Sequence, residues 1–330
     1  MTDHRLSLVI PMYNEQDNVM PMLSRVHEVL GDYPMPWEVL LVNDGSSDAT
    51  LAAMREGQAH YGEHVRVVEL RRNFGQTAAM QAGIDLARGD VIATLDGDLQ
   101  NDPVDIPRMV NRLLDEDLDL VSGWRKNRQD DVIMRKIPSR IANRLIRKIT
   151  GVQLHDYGCS LKVFRAEVVK SIRLYGEMHR FIPAWLATYT APNRIAEEVV
   201  AHHPRTRGVS KYGISRTFRV IIDLLVVFFF MRFSARPGHF FGMVGLGLGG
   251  LGGVLMSYML LLKLMGESIG TRPLFFTSIL LILVGVQMLT TGVLAEMVSR
   301  VYFESQERKS YIVRNKDAVP ESADIAWKNA

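Results

Sequence analysis

The sequence predicts an α/β protein in which a Rossmann-like domain is followed by interfacial helical sequence and a two-helix transmembrane hairpin. In about the first 210 residues, short β-rich apolar runs alternate with helical patterns, which is typical of a parallel sheet with helices on both faces. An acidic stretch follows one of these runs directly. Near the end, residues 240–262 and 274–295 form apolar runs of 23 and 22 residues without a charge, each long enough to cross a bilayer as a helix.

Five apolar runs predict the strands of the first domain. The loops after the first three lead into helical patterns, such as the Ala-rich segment 77–87, and Asp48 is a candidate N-cap for the second helix. Because the strands are expected to be parallel, the side chains that follow them meet at the carboxyl edge, where open α/β sheets bind ligands. The predicted strands are 6–10, 39–42, 65–70, 91–95 and 118–122.

The acidic stretch follows the predicted strand 91–95. Asp96 and Asp98 are two residues apart, so they share one face of an extended segment, which Gln100 continues. Hard oxygen ligands of this kind suit Mg²⁺ or Mn²⁺ carried by a diphosphate. The alternative is a solvated turn that Pro103 closes, since two aspartates at this spacing are a weak signal by themselves.

The stretch 95–103, L-D-G-D-L-Q-N-D-P, resembles the D-A-D-L-Q-x-P-P signature of family 2 glycosyltransferases that attach a sugar to a polyprenyl phosphate. The resemblance covers roughly residues 5–312. It is strongest to the undecaprenyl-phosphate 4-deoxy-4-formamido-arabinose transferases, and weaker to dolichyl-phosphate mannose synthases and bactoprenol glucosyltransferases. It implies a GT-A glycosyltransferase fold, catalytic roles for Asp96 and Asp98, and a metal ion on Asp98 and Gln100.

The resemblance also implies the reaction. A sugar is expected to pass from a nucleotide-diphosphate donor, a UDP-sugar in the simplest case, to undecaprenyl phosphate, with inversion at the anomeric carbon. Formamido-arabinose, galacturonate, glucose and N-acetylhexosamine donors all present the same diphosphate, so the sequence does not choose among these sugars. The phosphate monoester of the acceptor is already an anion at neutral pH, and it needs positioning more than deprotonation.

Two loops match the nucleotide-binding loops of this family. In V-I-P-M-Y-N-E at 9–15, the resemblance implies that Pro11, Tyr13 and Glu15 line the base and the ribose. In N-D-G-S-S-D at 43–48, it places Asp44 beside the nucleotide, as it does Asp96. A dinucleotide-binding fold would need G-x-G-x-x-G after the first strand, where that pattern is absent.

Residues 125–148 carry nine basic residues on a helical pattern with one apolar stripe. A basic amphipathic helix suits an anionic membrane surface. The alternatives are an RNA-binding helix, and a helix that packs on the sheet with a solvated basic face. The resemblance places the contacts to the acceptor phosphate at Arg125, Arg135 and Ser139.

Two later segments complete the predicted site. H-D-Y-G-C-S-L-K at 155–162 resembles a D-Y-G-C-x-L-R segment of the formamido-arabinose transferases, although Lys162 stands where an arginine is usual. Asp156 is a candidate catalytic residue that can act as a base, cap a turn or orient an arginine. R-T-R-G-V-S-K-Y at 205–212 resembles the mobile loop that closes over the donor diphosphate, with Arg205 and Lys211 as its candidates.

The predicted organisation is a cytoplasmic GT-A domain at 1–213, an interfacial amphipathic helix at 214–236, transmembrane helices near 238–264 and 273–296 within the segment 237–298, and a cytoplasmic tail at 299–330. Basic residues flank the hairpin on its outer sides, whereas Arg272 alone lies in its connecting loop. This asymmetry predicts a multi-pass protein of the bacterial inner membrane with both termini in the cytoplasm. A single cysteine, Cys159, fits a reducing compartment.

Composition and resemblance together limit the classes of partner that the protein is expected to have. A formal net charge of +3 is too small to argue for nucleic acid. The expected partners are the nucleotide sugar, undecaprenyl phosphate, membrane lipids and further copies of the chain, as a tetramer by resemblance. A processive polysaccharide synthase and a catalytically inactive membrane scaffold are the competing functions. The glycines at 245, 249 and 253, four residues apart inside an apolar run, predict close helix packing.

Overall fold

The computed structural model describes residues 3–126, 147, 151–174, 176, 178–204, 229, 233 and 237–305. These residues fall into two compact units, one within 1–227 and the other within 228–313. Most of the basic segment, the loop 205–212, the predicted interfacial helix apart from Phe229 and Phe233, and the end of the tail lie outside the described residues.

The first unit is built on one mixed sheet. Its strand order is β3-β2-β1-β4-β6-β5-β7. β1 pairs in parallel with β2 and β4, and β3 pairs in parallel with β2, so the nucleotide-binding half is the Rossmann-like arrangement that the sequence predicts. β7 is parallel to β5. The strands are β1 Leu6–Met12, β2 Trp37–Asn43, β3 Val65–Glu69, β4 Val91–Thr94, β5 Leu120–Trp124, β6 Lys162–Arg165 and β7 Ile195–Val199.

The prediction that the strands are parallel throughout is wrong at β6. This strand lies between β4 and β5 and runs antiparallel to both. Its first residue, Lys162, therefore lies at the carboxyl edge of the sheet, opposite Thr94 of β4 and Ser122 of β5. Only two apolar residues separate Lys162 from Arg165, so the strand has too little periodicity to be recognised from the sequence.

Helices cover the sheet and supply its core. The buried side of the first helix, from Val19 to Leu30, repeats at helical spacing and packs in the same cluster as β1. Ala49, and not Asp48, is the N-cap of the second helix, although the Asp48 carboxylate accepts a hydrogen bond from the Thr50 amide at 3.0 Å. The helices are α1 Gln16–Leu30, α2 Thr50–Tyr61, α3 Gln76–Leu86, α4 Ile106–Asp115, α5 Ala166–Val169 and α6 Ile182–Leu186.

The second unit contains two long helices, α7 Pro237–Leu264 and α8 Pro273–Ser305. Their membrane-length segments have mean hydropathies of 1.7 and 2.1, and only 17% of each is buried. A core helix of a soluble protein would be mostly buried, whereas Leu246 and Leu283 are 68% and 61% exposed. Two apolar helices of this length with this exposure indicate a membrane protein. α8 continues to Ser305, into the range 299–330 that the sequence assigns to the tail.

Glycines bring the two helices of the hairpin together. A Cβ on Gly285 would lie 2.7 Å from the backbone of Gly249, and one on Gly245 would lie 2.8 Å from the Gly285 carbonyl oxygen. Gly252 also contacts α8, but a Cβ on Gly253 would have nothing within 4 Å. Gly253 therefore takes no part in the contact within this hairpin, because each four-residue step drifts by about 40° around a helix of 3.6 residues per turn.

Replacing Gly285 by alanine is expected to destabilise the hairpin. The added methyl group meets backbone atoms that cannot move aside, and overpacking of this kind costs about 1–3 kcal/mol. Gly253→Ala is the matched control, since it adds the same methyl group to the same hairpin in open space. Thermal unfolding in detergent should show a lower midpoint for Gly285→Ala alone. Equal midpoints for the two variants would contradict the packing described above.

Candidate active site at the carboxyl edge of the sheet

The acidic loop that leaves β4 is a turn. Leu99 has a φ of 60°, and the Gln100 amide donates a hydrogen bond to Oδ1 of Asp98 at 3.1 Å. Gly97 packs on β1, since a Cβ there would lie 2.7 Å from the Met12 side chain. The expectation that Gln100 continues one extended face with Asp98 is wrong, because the left-handed Leu99 redirects the chain between them.

Asp96 is the partly buried carboxylate of this loop. Its Oδ1 accepts a hydrogen bond from Nε2 of Gln76, at the start of α3, at 2.7 Å. Burial, followed by the charge of Asp98, raises the pKa of Asp96 to about 6, against the opposing effects of Ser160 and nearby cations. Two carboxylates that repel each other in this way favour a bound cation.

The oxygen donors of the loop fit a divalent metal ion. Asp98 and Gln100 contribute a carboxylate and an amide oxygen, which are ligands that Mg²⁺ and Mn²⁺ accept. Within the described ranges, no group of three or more His, Cys, Asp or Glu side chains is placed to hold a metal. A cation at this loop would therefore need further oxygens from a substrate, as a diphosphate provides.

The loops after β1 and β2 lie side by side. The Asn14 amide donates a hydrogen bond to the Ser46 hydroxyl at 3.0 Å, and the Glu15 amide donates one to the Thr50 hydroxyl at 2.9 Å. Pro11 is buried within β1, while Tyr13 and Glu15 are half-buried beyond its end. The three residues predicted to line the base and ribose thus lie at alternate positions, from the end of β1 into the loop that follows it.

Asp44 supports the neighbouring segment that opens α3. The carboxylate is buried, and its two oxygens accept hydrogen bonds from the amides of Phe74 at 2.8 Å and Gly75 at 2.9 Å. Gly45 has a φ of 63° and packs so tightly that a Cβ would lie 2.3 Å from the Arg72 backbone. Asp44 therefore fixes the start of α3, the helix whose Gln76 holds Asp96.

Arg125 and Asp156 form a two-point ion pair beyond the end of β5. Nε and Nη2 of Arg125 donate to the two carboxylate oxygens at 2.7 and 3.0 Å, and the side chains are only 12% and 16% exposed. Burial alone would lower the pKa of Arg125, but the hydrogen bonds and charge of Asp156 raise it above its ordinary value. Oδ1 of Asp156 also accepts from the Gly158 amide at 3.1 Å. Asp156 thus orients an arginine and caps a turn, two of its three predicted roles.

A polar layer beneath the loop contains Lys162 together with residues that the sequence did not single out. Asn101 donates to the Ser160 hydroxyl at 2.7 Å, and the Thr94 hydroxyl donates to the Ser160 carbonyl oxygen at 2.8 Å. Lys162 is 1% exposed and donates to the carbonyl oxygen of Cys159, and burial lowers its pKa. Asn101 and Ser160 lie inside the motifs at 95–103 and 155–162, so their position in the sequence could have indicated a role in the site. Gln76 lies in neither motif, and the sequence gives no sign of its contact with Asp96.

The segment after β7 joins the same loop. The His203 amide donates to the Gln100 carbonyl oxygen at 2.7 Å, and His202 pairs with Asn101 in an antiparallel bridge. The remaining predicted site residues, Arg135, Ser139, Arg205 and Lys211, lie outside the described residues.

Comparison with known proteins identifies the family. The model for glycosyl transferase family 2 matches residues 7–173. A dodecaprenyl-phosphate galacturonate synthase of Rhizobium johnstonii is 58% identical over 310 residues, covering 94% of this chain and 92% of the relative. An undecaprenyl-phosphate 4-deoxy-4-formamido-L-arabinose transferase of Aeromonas hydrophila is 35% identical over 315 residues, covering 94% of each.

A solved structure shares the fold. Glucosyl-3-phosphoglycerate synthase from Mycobacterium tuberculosis, crystallised with Mn²⁺ and UDP-glucose, superimposes with a TM-score of 0.54 at 18% identity, covering 68% of this chain and 78% of that chain. The expected GT-A fold followed by two apolar helices is confirmed. With a matching family model and full-length relatives, the chain belongs to glycosyl transferase family 2 and is a glycosyltransferase.

Proposed function

We propose that this enzyme transfers a sugar from a nucleotide-diphosphate donor to undecaprenyl phosphate at the cytoplasmic leaflet. The product is a polyprenyl-monophosphate sugar for envelope or lipopolysaccharide modification. The observation that carries the proposal is the pair Asp96 and Asp98 at the carboxyl edge of β4, beside two nucleotide loops, in a chain 58% identical to a dodecaprenyl-phosphate galacturonate synthase. Neither a processive synthase nor an inactive scaffold has comparable support.

The donor is proposed to bind over the parallel half of the sheet. Pro11, Tyr13 and Glu15 line the base and ribose, and Asp44 and Asp96 lie at the ends of the neighbouring strands. Gln76 donates to Oδ1 of Asp96 at 2.7 Å, and lone pairs of the carboxylate remain to accept a hydrogen bond from the ribose or the sugar. UDP is the proposed nucleotide.

Asp98 and Gln100 would hold Mg²⁺ or Mn²⁺, since their oxygens suit these ions. The cation, when bound, neutralises negative charge on the departing diphosphate. Arg205 and Lys211 are proposed to add positive charge around the same group. Asp98 is held for this role by the hydrogen bond from the Gln100 amide at 3.1 Å.

The acceptor phosphate is proposed to bind near Arg125, Arg135 and Ser139. A phosphate monoester has a second pKa of about 6, so it reaches the site already ionised and needs no base. Its oxygen attacks the anomeric carbon while the carbon–oxygen bond to the diphosphate breaks on the opposite face, and a single displacement of this kind inverts the configuration. Asp156 then serves catalysis by holding Arg125 in place.

A uronic acid is the proposed sugar. The relative that is 58% identical is named for galacturonate, while the relative that is 35% identical is named for formamido-arabinose. The test is a mass-spectrometric assay in which the purified enzyme receives undecaprenyl phosphate with each of several UDP-sugars. A polyprenyl-phosphate galacturonate product is expected. Failure to form any polyprenyl-phosphate sugar would reject the proposed function, and a different preferred sugar would reject only the choice of donor.

We further propose that the protein is a multi-pass inner-membrane enzyme with a cytoplasmic catalytic domain, and that it assembles as a homo-oligomer, a tetramer by resemblance, without a nucleic-acid partner. The two apolar helices and the arginine asymmetry support this orientation. A reporter fused after Arg314 should behave as cytoplasmic, and one inserted at Glu267, between the helices, as periplasmic. Two reporters on the same side of the membrane would contradict the hairpin topology.

A further inference from the structure

A cavity of about 280 Å³ lies where β5 and β7 end, beyond the Arg125–Asp156 pair. Its wall combines a basic side chain with aliphatic ones and two imidazoles. The lining residues are Lys126, Val199, Val200, Ala201, His202 and His203.

Lys126 lines this cavity, whereas Arg125 does not. Nε and Nη2 of Arg125 donate to Asp156 at 2.7 and 3.0 Å, which holds its guanidinium in a fixed orientation beside the cavity. Lys126 is exposed and lies with Nζ 5.6 Å from the ring centroid of Trp124. In the part of the chain that the structure describes, no carboxylate forms a salt bridge with Lys126.

The aliphatic wall limits what such a cation can bind. Val199 is 42% exposed and lies beside Val200 and Ala201, so aliphatic groups line the cavity together with Lys126 and the two imidazoles. A prenyl phosphate has the matching pattern, since an oxyanion is joined directly to hydrocarbon.

The cavity is also joined to the acidic loop. His203 donates its amide to the Gln100 carbonyl oxygen at 2.7 Å, and His202 is bridged to Asn101. One wall of the cavity is therefore one hydrogen bond away from the loop that carries Asp98.

We propose that this cavity receives the phosphate of the prenyl acceptor together with its first isoprenoid carbons, and that Lys126 is the cation that binds the phosphate. The inference rests on the proposed function and adds a residue to it. Arg125 is then a rigid neighbour of the acceptor site, whereas Lys126 supplies the mobile positive charge.

The test uses the purified full-length enzyme with farnesyl phosphate as a short acceptor. Loss of a charged hydrogen bond is expected to raise the KM for farnesyl phosphate by about tenfold or more in Lys126→Gln, while Lys126→Arg retains most of the affinity. Ala201→Leu, which fills the cavity without changing charge, should raise the same KM. The KM for the nucleotide sugar should stay unchanged in all three variants.

Lys170→Gln is the matched control. Lys170 also is exposed, but it donates to the Ala87 carbonyl oxygen ahead of β4, at the opposite edge of the sheet. An unchanged KM for farnesyl phosphate in both Lys126→Gln and Ala201→Leu would overturn the inference while leaving the proposed function intact. A rise confined to the KM for a uronic acid donor would instead assign the cavity to the sugar carboxylate. If the wild-type enzyme fails with every prenyl phosphate, the proposed function itself is rejected.

Discussion

Asp98→Asn is expected to reduce metal-dependent sugar transfer by about 100-fold or more, because the charge of a carboxylate that binds the metal ion directly contributes several kcal/mol to stabilising the transition state. The fold should be retained. Asparagine has the same shape as aspartate, and its carbonyl oxygen can still accept the hydrogen bond that the Gln100 amide donates at 3.1 Å. The measurement is the initial rate of polyprenyl-phosphate sugar formation against Mg²⁺ or Mn²⁺ concentration.

Asp85→Asn is the control for this substitution. Asp85 lies on α3 with a side chain 43% exposed, and its interaction with Arg173 is loose at 3.7 Å. The same change of charge at Asp85 should leave turnover and its metal dependence at wild-type values. Full activity of Asp98→Asn, with and without a chelator, would remove Asp98 from the metal site.

Asp156→Asn is expected to destabilise the first unit and to abolish efficient transfer to the prenyl phosphate. The substitution leaves the guanidinium of Arg125, 12% exposed, without its counter-charge, and breaking a buried ion pair on one side costs about 3–5 kcal/mol. Glu69→Gln is the control, because the Glu69 and Arg55 side chains are 49% and 65% exposed, and exposed pairs contribute about 0–1 kcal/mol. Thermal unfolding measures the stability of the two variants, and the midpoint should fall for Asp156→Asn alone.

A double replacement separates stability from function at this pair. Arg125→Met combined with Asp156→Leu removes both charges, and apolar residues of similar volume often restore the stability lost by a single replacement. The midpoint of unfolding should recover, whereas the KM for the acceptor should stay high because the guanidinium is gone. Recovery of both stability and transfer would show that the pair has only a structural role.

The sequence predicted the parallel half of the sheet because β1 to β4 are apolar runs between clear turn signals. β6 and β7 lack that signal. β6 is K-V-F-R, and β7 is I-A-E-E-V, in which Glu197 and Glu198 bind His155 and two arginines at the surface. Charged residues that are satisfied by tertiary contacts interrupt the hydrophobic pattern without interrupting the strand.

The candidate site was predictable as far as its motifs extend. Asp96 and Asp98 could be placed because a strand end fixes their position. The contacts that hold them join residues far apart in the chain, such as Gln76 with Asp96 and Arg125 with Asp156. Such pairs produce no periodic pattern in the sequence. The left-handed turn falls on Leu99, so no glycine marks it.

The reversed direction of β6 has a consequence for how this enzyme class can diversify. β5 leaves the sheet at Trp124 and β6 enters it at Lys162, and both of these points lie at the same edge. The intervening 37 residues, from 125 to 161, therefore start and finish at the edge that also carries Asp96 and Asp98. An insertion between Arg125 and the buried Val152 need not shift the pairing of β4, β5 and β6, so this connection can change in length during evolution while the sheet remains as it is.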